Sequence, residues 1–313
     1  MMDIARQALG HWGFEGASLR LVAARENAVF ELVSGGTHAA LRLHRKGYRS
    51  NAQLISELAW MAMVAQAGIS VPAPIPARDG KMLHHVNGVQ VDVLTWLPGA
   101  TMEDALEALP PEDQTRVFRT LGQDMARLHM ACDAWVPLAG FDRVHWDLDG
   151  LLGDAPLWDR FWDNPALSGA EKTLFAEFRE RAAQDLERRA SGLDYGLIHA
   201  DLVPANVLVD GARLRFIDFD DGGFGFRLFD VATALVKHRA SRNFARFQSA
   251  LIAGYHSVRP LDTGALTLFM ALRAATYVGW NITRMNEPDG AARNARLIAA
   301  ARECATQYLD AGG

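Results

Sequence analysis

The stretch from Leu197 to Asp221 reads LIHADLVPANVLVDGARLRFIDFDD and leaves its backbone few choices. Two short apolar runs, Val207 to Val209 and Leu214 to Ile217, flank Asp210-Gly211, and an Asp-Gly pair between such runs is a strong hairpin signal. Closing that hairpin brings Asn206, just before its first strand, close to Asp218, just after its second. Asp201 lies upstream of Asn206 in a loop stiffened by Pro204. Three hard oxygen side chains are therefore expected to converge on one end of a hairpin.

Such a grouping suits Mg²⁺, which takes carboxylate and amide oxygens together with phosphate oxygens and water and rarely has an all-protein cage. Asn206 and Asp218 are candidate ligands, with ATP supplying the rest. Asp201 is left over, and phosphoryl transfer needs a carboxylate that orients a hydroxyl and accepts its proton. The pattern His199-x-Asp201-x4-Asn206 followed by Ile217-Asp218-Phe219-Asp220 resembles the aminoglycoside phosphotransferase and choline kinase family. It is similar also to homoserine kinases and bacterial stress-response kinases on the same scaffold. The resemblance implies a protein-kinase-like fold, Asp201 as catalytic base, and Asn206 and Asp218 as metal ligands. It makes His199 a brace of the catalytic loop. A polar hairpin rim with accidental spacing is the plainer reading, but it does not account for the matching positions and their apolar frame together.

Composition excludes several other classes. At 313 residues the chain can bury a substantial core, as one large domain or two moderate ones. A formal net charge of −5 argues against a nucleic-acid partner, which would want a basic face. Two cysteines, Cys132 and Cys304, make no disulfide framework. The start, MMDIARQALGHWGFEG, reads as no signal peptide. The apolar stretch Leu266 to Trp280 is interrupted by Arg273 and is too short to span a bilayer. A cytoplasmic protein is expected.

Along the first third, Ser18 to Leu32 reads as two strands around the polar turn Arg25-Glu26-Asn27. The resemblance places such a turn over the triphosphate, although no G-x-G-x-x-G is present and a plain hairpin would look the same. In the next strand, Ala39 to His44, alternation puts Leu41 and Leu43 on one face and Arg42 on the other. The family pattern has a Lys here that pairs with phosphates and with a Glu on the following helix. Arg42 holds that position by register, with Lys46 as rival beyond the strand. The helix Asn51 to Gln66 carries Glu57 as the expected partner. After the proline-fixed course Val71 to Gly80 come strands at Met82 to Val86 and Val89 to Trp96. By resemblance, adenine sits at the second strand's end and bonds backbone amides near Thr95 and Trp96.

From Thr101 the chain reads as mainly helical. Trp135 to Trp162 interleaves four tryptophans with five aspartates, a pairing that suits a cation; an amphipathic helical insert with buried rings and solvated aspartates is the plainer reading. Asp230 falls in the helix near Arg227, where the family braces the catalytic loop. In a helix expected over Thr263 to Met285, Arg273, Tyr277, Trp280 and Arg284 share one face, which resembles the substrate-binding face of family members.

The expected architecture is α+β and bilobal. A small antiparallel-sheet lobe, 1–98, binds ATP, and a mostly helical lobe, 99–313, carries catalysis and substrate binding, with ATP between them. The expected activity is Mg-ATP-dependent phosphorylation of a small-molecule hydroxyl, on an amino alcohol, an amino sugar or a hydroxy amino acid, with a cationic acceptor as one option. A protein Ser/Thr kinase and a nucleotide-binding pseudokinase remain open alternatives, the latter because Arg42 replaces the usual Lys.

Overall fold

The computed structural model describes residues 1–24 and 27–311. In chain order its elements begin with α1 (Met2–Trp12), β1 (Ser18–Ala24), β2 (Ala28–Ser34), β3 (Thr37–Leu43), α2 (Asn51–Gln66), β4 (His84–Val86), β5 (Val89–Thr95), β6 (Ala100–Thr101) and α3 (Met102–Ala108). There follow α4 (Pro111–Asp133), β7 (His145–Trp146), α5 (Leu148–Leu152), α6 (Gly169–Arg189), β8 (Tyr195–Ile198), β9 (Val207–Asp210) and β10 (Arg213–Phe216). The last are β11 (Gly223–Phe226), α7 (Arg227–Val236), α8 (Phe244–His256), α9 (Leu266–Trp280) and α10 (Gly290–Ala311). The chain divides into two compact units. The first is Met1–Ala105 with Ala134–Arg143 and Asn206–Asp220; the second is Leu106–Asp133, Val144–Ala205 and Asp221–Gly313.

The first unit is built on an antiparallel sheet of order β1-β2-β3-β5-β4. Apolar residues at helical spacing in α1, Ala5, Ala8, Leu9 and Trp12, pack on the alternate positions Phe30, Leu32, Leu41 and Val93 that the sheet turns toward them. Trp12 buries its ring and still satisfies its indole N–H, which donates to Ile75 O at 2.7 Å. Helix α2 starts at a capping box, in which Ser50 accepts from Gln53 N and Gln53 returns the bond. It buries Leu54, Leu58, Met61 and Val64. A second sheet, β10-β9-β6, carries the hairpin read from Leu197 to Asp221. Its loop has Gly211 at φ +60°, which type II′ hairpin loops require at their first position. Gly99 matters there too: a Cβ on it would lie 3.0 Å from Val209 O, so only glycine lets β6 lie against β9.

The second unit is mostly helical. Helices α4 and α8 pack through the stacked rings of Phe118 and Phe247, 4.3 Å apart, and a buried side chain of this size contributes about 1.5–3 kcal/mol. A small sheet in it, β7-β11-β8, pairs β11 parallel to β7 and antiparallel to β8. The glycines of Gly223–Phe226 disguise that strand in the sequence, since glycine is depleted from strands. The segment from Trp135 to Trp162 is no helical insert. Of regular structure it holds only β7, the single-turn α5 and a 3₁₀ turn at Phe161–Asp163. No helix among the described residues is long and apolar enough to cross a membrane.

Candidate active site

In the first unit, strand alternation carries Arg42 into the interior, where it stands across from Asp92 of β5. Its Nε and Nη2 donate to Asp92 Oδ1 and Oδ2, both at 2.8 Å, the parallel fork that a guanidinium makes with a carboxylate. Its Nη1 donates to Glu57 Oε1 at 2.8 Å. The other Glu57 oxygen accepts from Arg143 Nη1 at 3.2 Å, and Arg143 Nη2 donates to the carbonyls of Phe219 and Asp220 at 2.8 and 2.7 Å. His44 Nε2 lies 2.7 Å from Asp92 Oδ2. Buried charge thus runs unbroken from β3 to the segment directly after Asp218. Lys46 is exposed beyond the end of β3.

Burial alone would raise the pKa of both carboxyls. The Arg42 guanidinium, with Arg143 beside Glu57 and His44 beside Asp92, holds each below the ordinary carboxylate range instead. Asp220 behaves oppositely. Burial and the Glu57 charge push it up, and its Oδ1 has no hydrogen bond, with Arg49 Nε 3.8 Å away.

The candidate metal ligands lie at the open end of the β9–β10 hairpin. The pairing Val207↔Phe216 continues through Ile217 N, which donates to Asn206 O at 3.0 Å. That bond sets Asn206 beside the Ile217-Asp218 peptide, and Asp218 takes a left-handed φ of +69° as the strand breaks off. The following Phe219 is fully buried, edge-on to Trp60 at 5.0 Å. An amide oxygen and an exposed carboxylate on one anchored turn are a donor set that fits Mg²⁺ with nucleotide oxygens completing it.

One expected contact stands differently. The N–H groups of Thr95 and Trp96 are spent inside the protein, on Ala73 O at 2.8 Å and His38 O at 3.2 Å. They are not donors for a base; the next N–H along is that of Leu97, since Pro98 has none. In the turn read between β1 and β2, Arg25 and Glu26 lie outside the described residues.

The second unit holds Asp201. Asp230 on α7 accepts from His199 N at 2.9 Å and Ala200 N at 2.7 Å, which fixes Ala200 at φ +64°. A non-glycine residue there costs about 1–3 kcal/mol, and the bonds from both amides to Asp230 help hold the turn against it. Asp230 is itself met by His129 Nε2 at 3.0 Å. Burial, with the Arg227 charge, brings His129 down to about 4. The ring is then neutral at pH 7, donates to Asp230, and accepts from Tyr255 O–H at 2.7 Å.

The Asp201 side chain meets a residue of the α9 face. Arg273 Nη2 donates to Asp201 Oδ1 at 2.5 Å and to Tyr277 OH at 3.0 Å. Its guanidinium lies over the rings of Trp158, Tyr277 and Phe229, at 4.5, 4.3 and 5.3 Å. Gly279 makes that packing possible, because a Cβ there would come within 2.4 Å of Trp158 O. Trp162 likewise holds Arg179 over its ring at 3.9 Å. Both ring faces therefore receive the protein's own cations. Helix α9 ends at Trp280, and Arg284 stands on a 3₁₀ turn rather than on the helix with the other three. The break follows from Asn281, whose Nδ2 turns inward to Gly290 O and Asn294 Oδ1 at 3.1 and 3.2 Å.

Residues 18–267 match the model of the phosphotransferase enzyme family. A homoserine kinase of Cupriavidus necator is 35% identical over 244 residues, 73% of this chain and 68% of that protein. Among solved structures, a microcompartment-associated aminopropanol kinase superposes with a TM-score of 0.87 at 32% identity, covering 99% of this chain and 98% of that one. An amicoumacin kinase in complex with AMP-PNP, Ca²⁺ and Ami superposes with a TM-score of 0.78 at 21% identity, over 96% and 93% of the two chains, and speaks to the fold alone. The chain belongs to the phosphotransferase enzyme family and is a small-molecule kinase of α+β, protein-kinase-like fold.

Proposed function

We propose that this phosphotransferase transfers the γ-phosphoryl group of Mg-ATP to a hydroxyl of a small amino alcohol or hydroxy amino acid. The observation that carries the reading is the Asp201 loop, held in a strained turn by two backbone N–H bonds to Asp230. A base must be presented at a fixed point, and these two bonds fix one. Asp201 takes the proton of the acceptor hydroxyl as its oxygen bonds to phosphorus and the bond to the ADP oxygen breaks.

The first unit supplies the nucleotide side of the reaction, with Asn206 and Asp218 as the ligands of the metal ion. Bound there, the ion would neutralise charge on the transferring phosphate. Arg42, steadied by Glu57 and Asp92, keeps two of its five N–H groups outside the three bonds described, and these would be its donors to the nucleotide phosphates. Adenine lies at the end of β5 by Thr95 and Trp96, with Leu97 as the amide donor. Tyr277, Trp280 and Arg284 form the acceptor side. A cytoplasmic setting accords with Cys132 and Cys304 as buried thiols.

The test is ADP release in the presence of aminopropanol, ethanolamine, choline, L-homoserine, L-serine, an aminoglycoside or a protein substrate. Magnesium-dependent turnover of a small hydroxylated amine or amino acid is expected. Nucleotide binding without transfer to any small acceptor would overturn the proposal, and transfer to protein alone would replace it.

A further inference from the structure

The α9 face was read as an acceptor surface, yet Arg273 is fully buried and its hydrogen bonds go to Asp201 and Tyr277. We propose that Arg273 is a positioning residue that orients the Asp201 carboxylate for proton acceptance, and is not an anchor for the acceptor. The inference rests on the reading of Asp201 as the base.

Three observations carry it. First, the bond is short and one-sided: Nη2 reaches Asp201 Oδ1 at 2.5 Å, while Nε and Nη1 are buried without a hydrogen-bond partner. A cation taken out of water with so few bonds is costly unless a charge compensates it. Among the described residues, Asp201 is the carboxylate that pairs with it. Second, the rest of its surroundings are ring faces, Trp158, Tyr277 and Phe229. Their quadrupoles attract the cation, and the Tyr277 hydroxyl, 3.0 Å from Nη2, is a neutral acceptor rather than a rival carboxylate. The guanidinium is thereby clamped as a flat plate with one edge on Asp201. Third, the backbone of Asp201 is fixed separately, through Asp230 and through the bond from Val203 N to Asp201 O at 2.8 Å. With backbone and one carboxylate oxygen both anchored, rotation of the carboxylate stops.

The test compares Asp201→Asn, Arg273→Met and Arg273→Lys. Turnover is read with L-homoserine, with aminopropanol and with water as acceptors, beside thermal melts of each variant. Arg273→Met is expected to lower kcat about a hundredfold, as misplacement of a reacting group does, with the KM for ATP and for acceptor within about threefold. Arg273→Lys should recover at least about a tenth of the wild-type kcat, since it restores the charge without the flat fork. In melts, Asp201→Asn should destabilise the wild type more than it destabilises Arg273→Met, because only the former leaves a buried guanidinium unpaired. Wild-type kcat in Arg273→Met, or a loss confined to acceptor KM, would overturn the inference. Full turnover by Asp201→Asn would instead remove the base reading on which it stands.

Discussion

Arg42 in the sheet unit and Arg273 in the helical unit are both buried arginines on candidate reaction residues, and they are held in unlike ways. Arg42 makes three bonds to two carboxylates, each of which is shared with a further side chain, Arg143 or His44. Arg273 makes one bond to a carboxylate and otherwise lies against aromatic rings. The first is a network in which each loss is felt by several members. The second is a single contact in which one loss removes the ionic partner altogether. The difference teaches that buried charge does two jobs in this protein. One arrangement makes a rigid platform, and the other aims one group.

The largest expected effect comes from breaking the platform. Glu57→Ala leaves both Arg42 and Arg143 short of a carboxylate oxygen, and stranding buried charge in this way costs about 3–5 kcal/mol. Urea unfolding measures it. A loss below about 1 kcal/mol would show that the network is not a structural unit. Arg42 gives the next effect. Arg42→Ala should raise the KM for ATP or lower kcat clearly more than Arg42→Lys, which keeps a charge but loses the fork to Asp92. Combined with Glu57→Ala the effect should be less than additive, because contacting residues couple. If Lys46→Ala abolishes ATP binding while Arg42→Ala does not, the phosphate contact lies beyond β3. At the Asn206–Asp218 turn, Asp218→Ala should weaken Mg-ATP binding far more than binding of metal-free ATP. Equal losses would mean that the turn itself collapsed.

The smallest effect is a pH dependence. His129 titrates at about 4 in the folded protein, lowered by burial and by Arg227, against about 6.5 unfolded. Between these values the unfolded chain binds the extra proton, so the stability this histidine contributes falls as pH drops from about 6.5 to 4, by at most about 3 kcal/mol. Glu57 and Asp92, held low in the fold, add a further loss below about pH 4. Melts of His129→Gln from pH 7 to 5 should show a flatter slope than wild type; an equal slope would contradict the assignment.

Local pattern made part of this readable. Alternation in β3 singled out Arg42, the Asp-Gly turn placed Asn206 beside Asp218, and helical spacing put Arg273 and Tyr277 on one face. Asp92 escaped because its meeting with Arg42 depends on β5 pairing with β3 across the whole of α2, a register that no local period encodes. Arg143 sits in an irregular segment, so neither period nor motif marks it. The end of α9 at Trp280 was hidden for a related reason: Asn281 is drawn inward by Asn294 and Gly290, partners supplied by α10. The four tryptophans and five aspartates did read as a place for cations. That the cations would be Arg273 and Arg179 is a fact of tertiary packing.

The central claim is that Asp201 faces the acceptor and accepts its proton. Mg-ATP affinity and single-turnover phosphoryl transfer, measured together on Asp201→Asn, test it most directly. The account expects Mg-ATP affinity within a few fold of wild type and transfer slower by about a hundredfold or more. Transfer at the wild-type rate with normal nucleotide binding would contradict it.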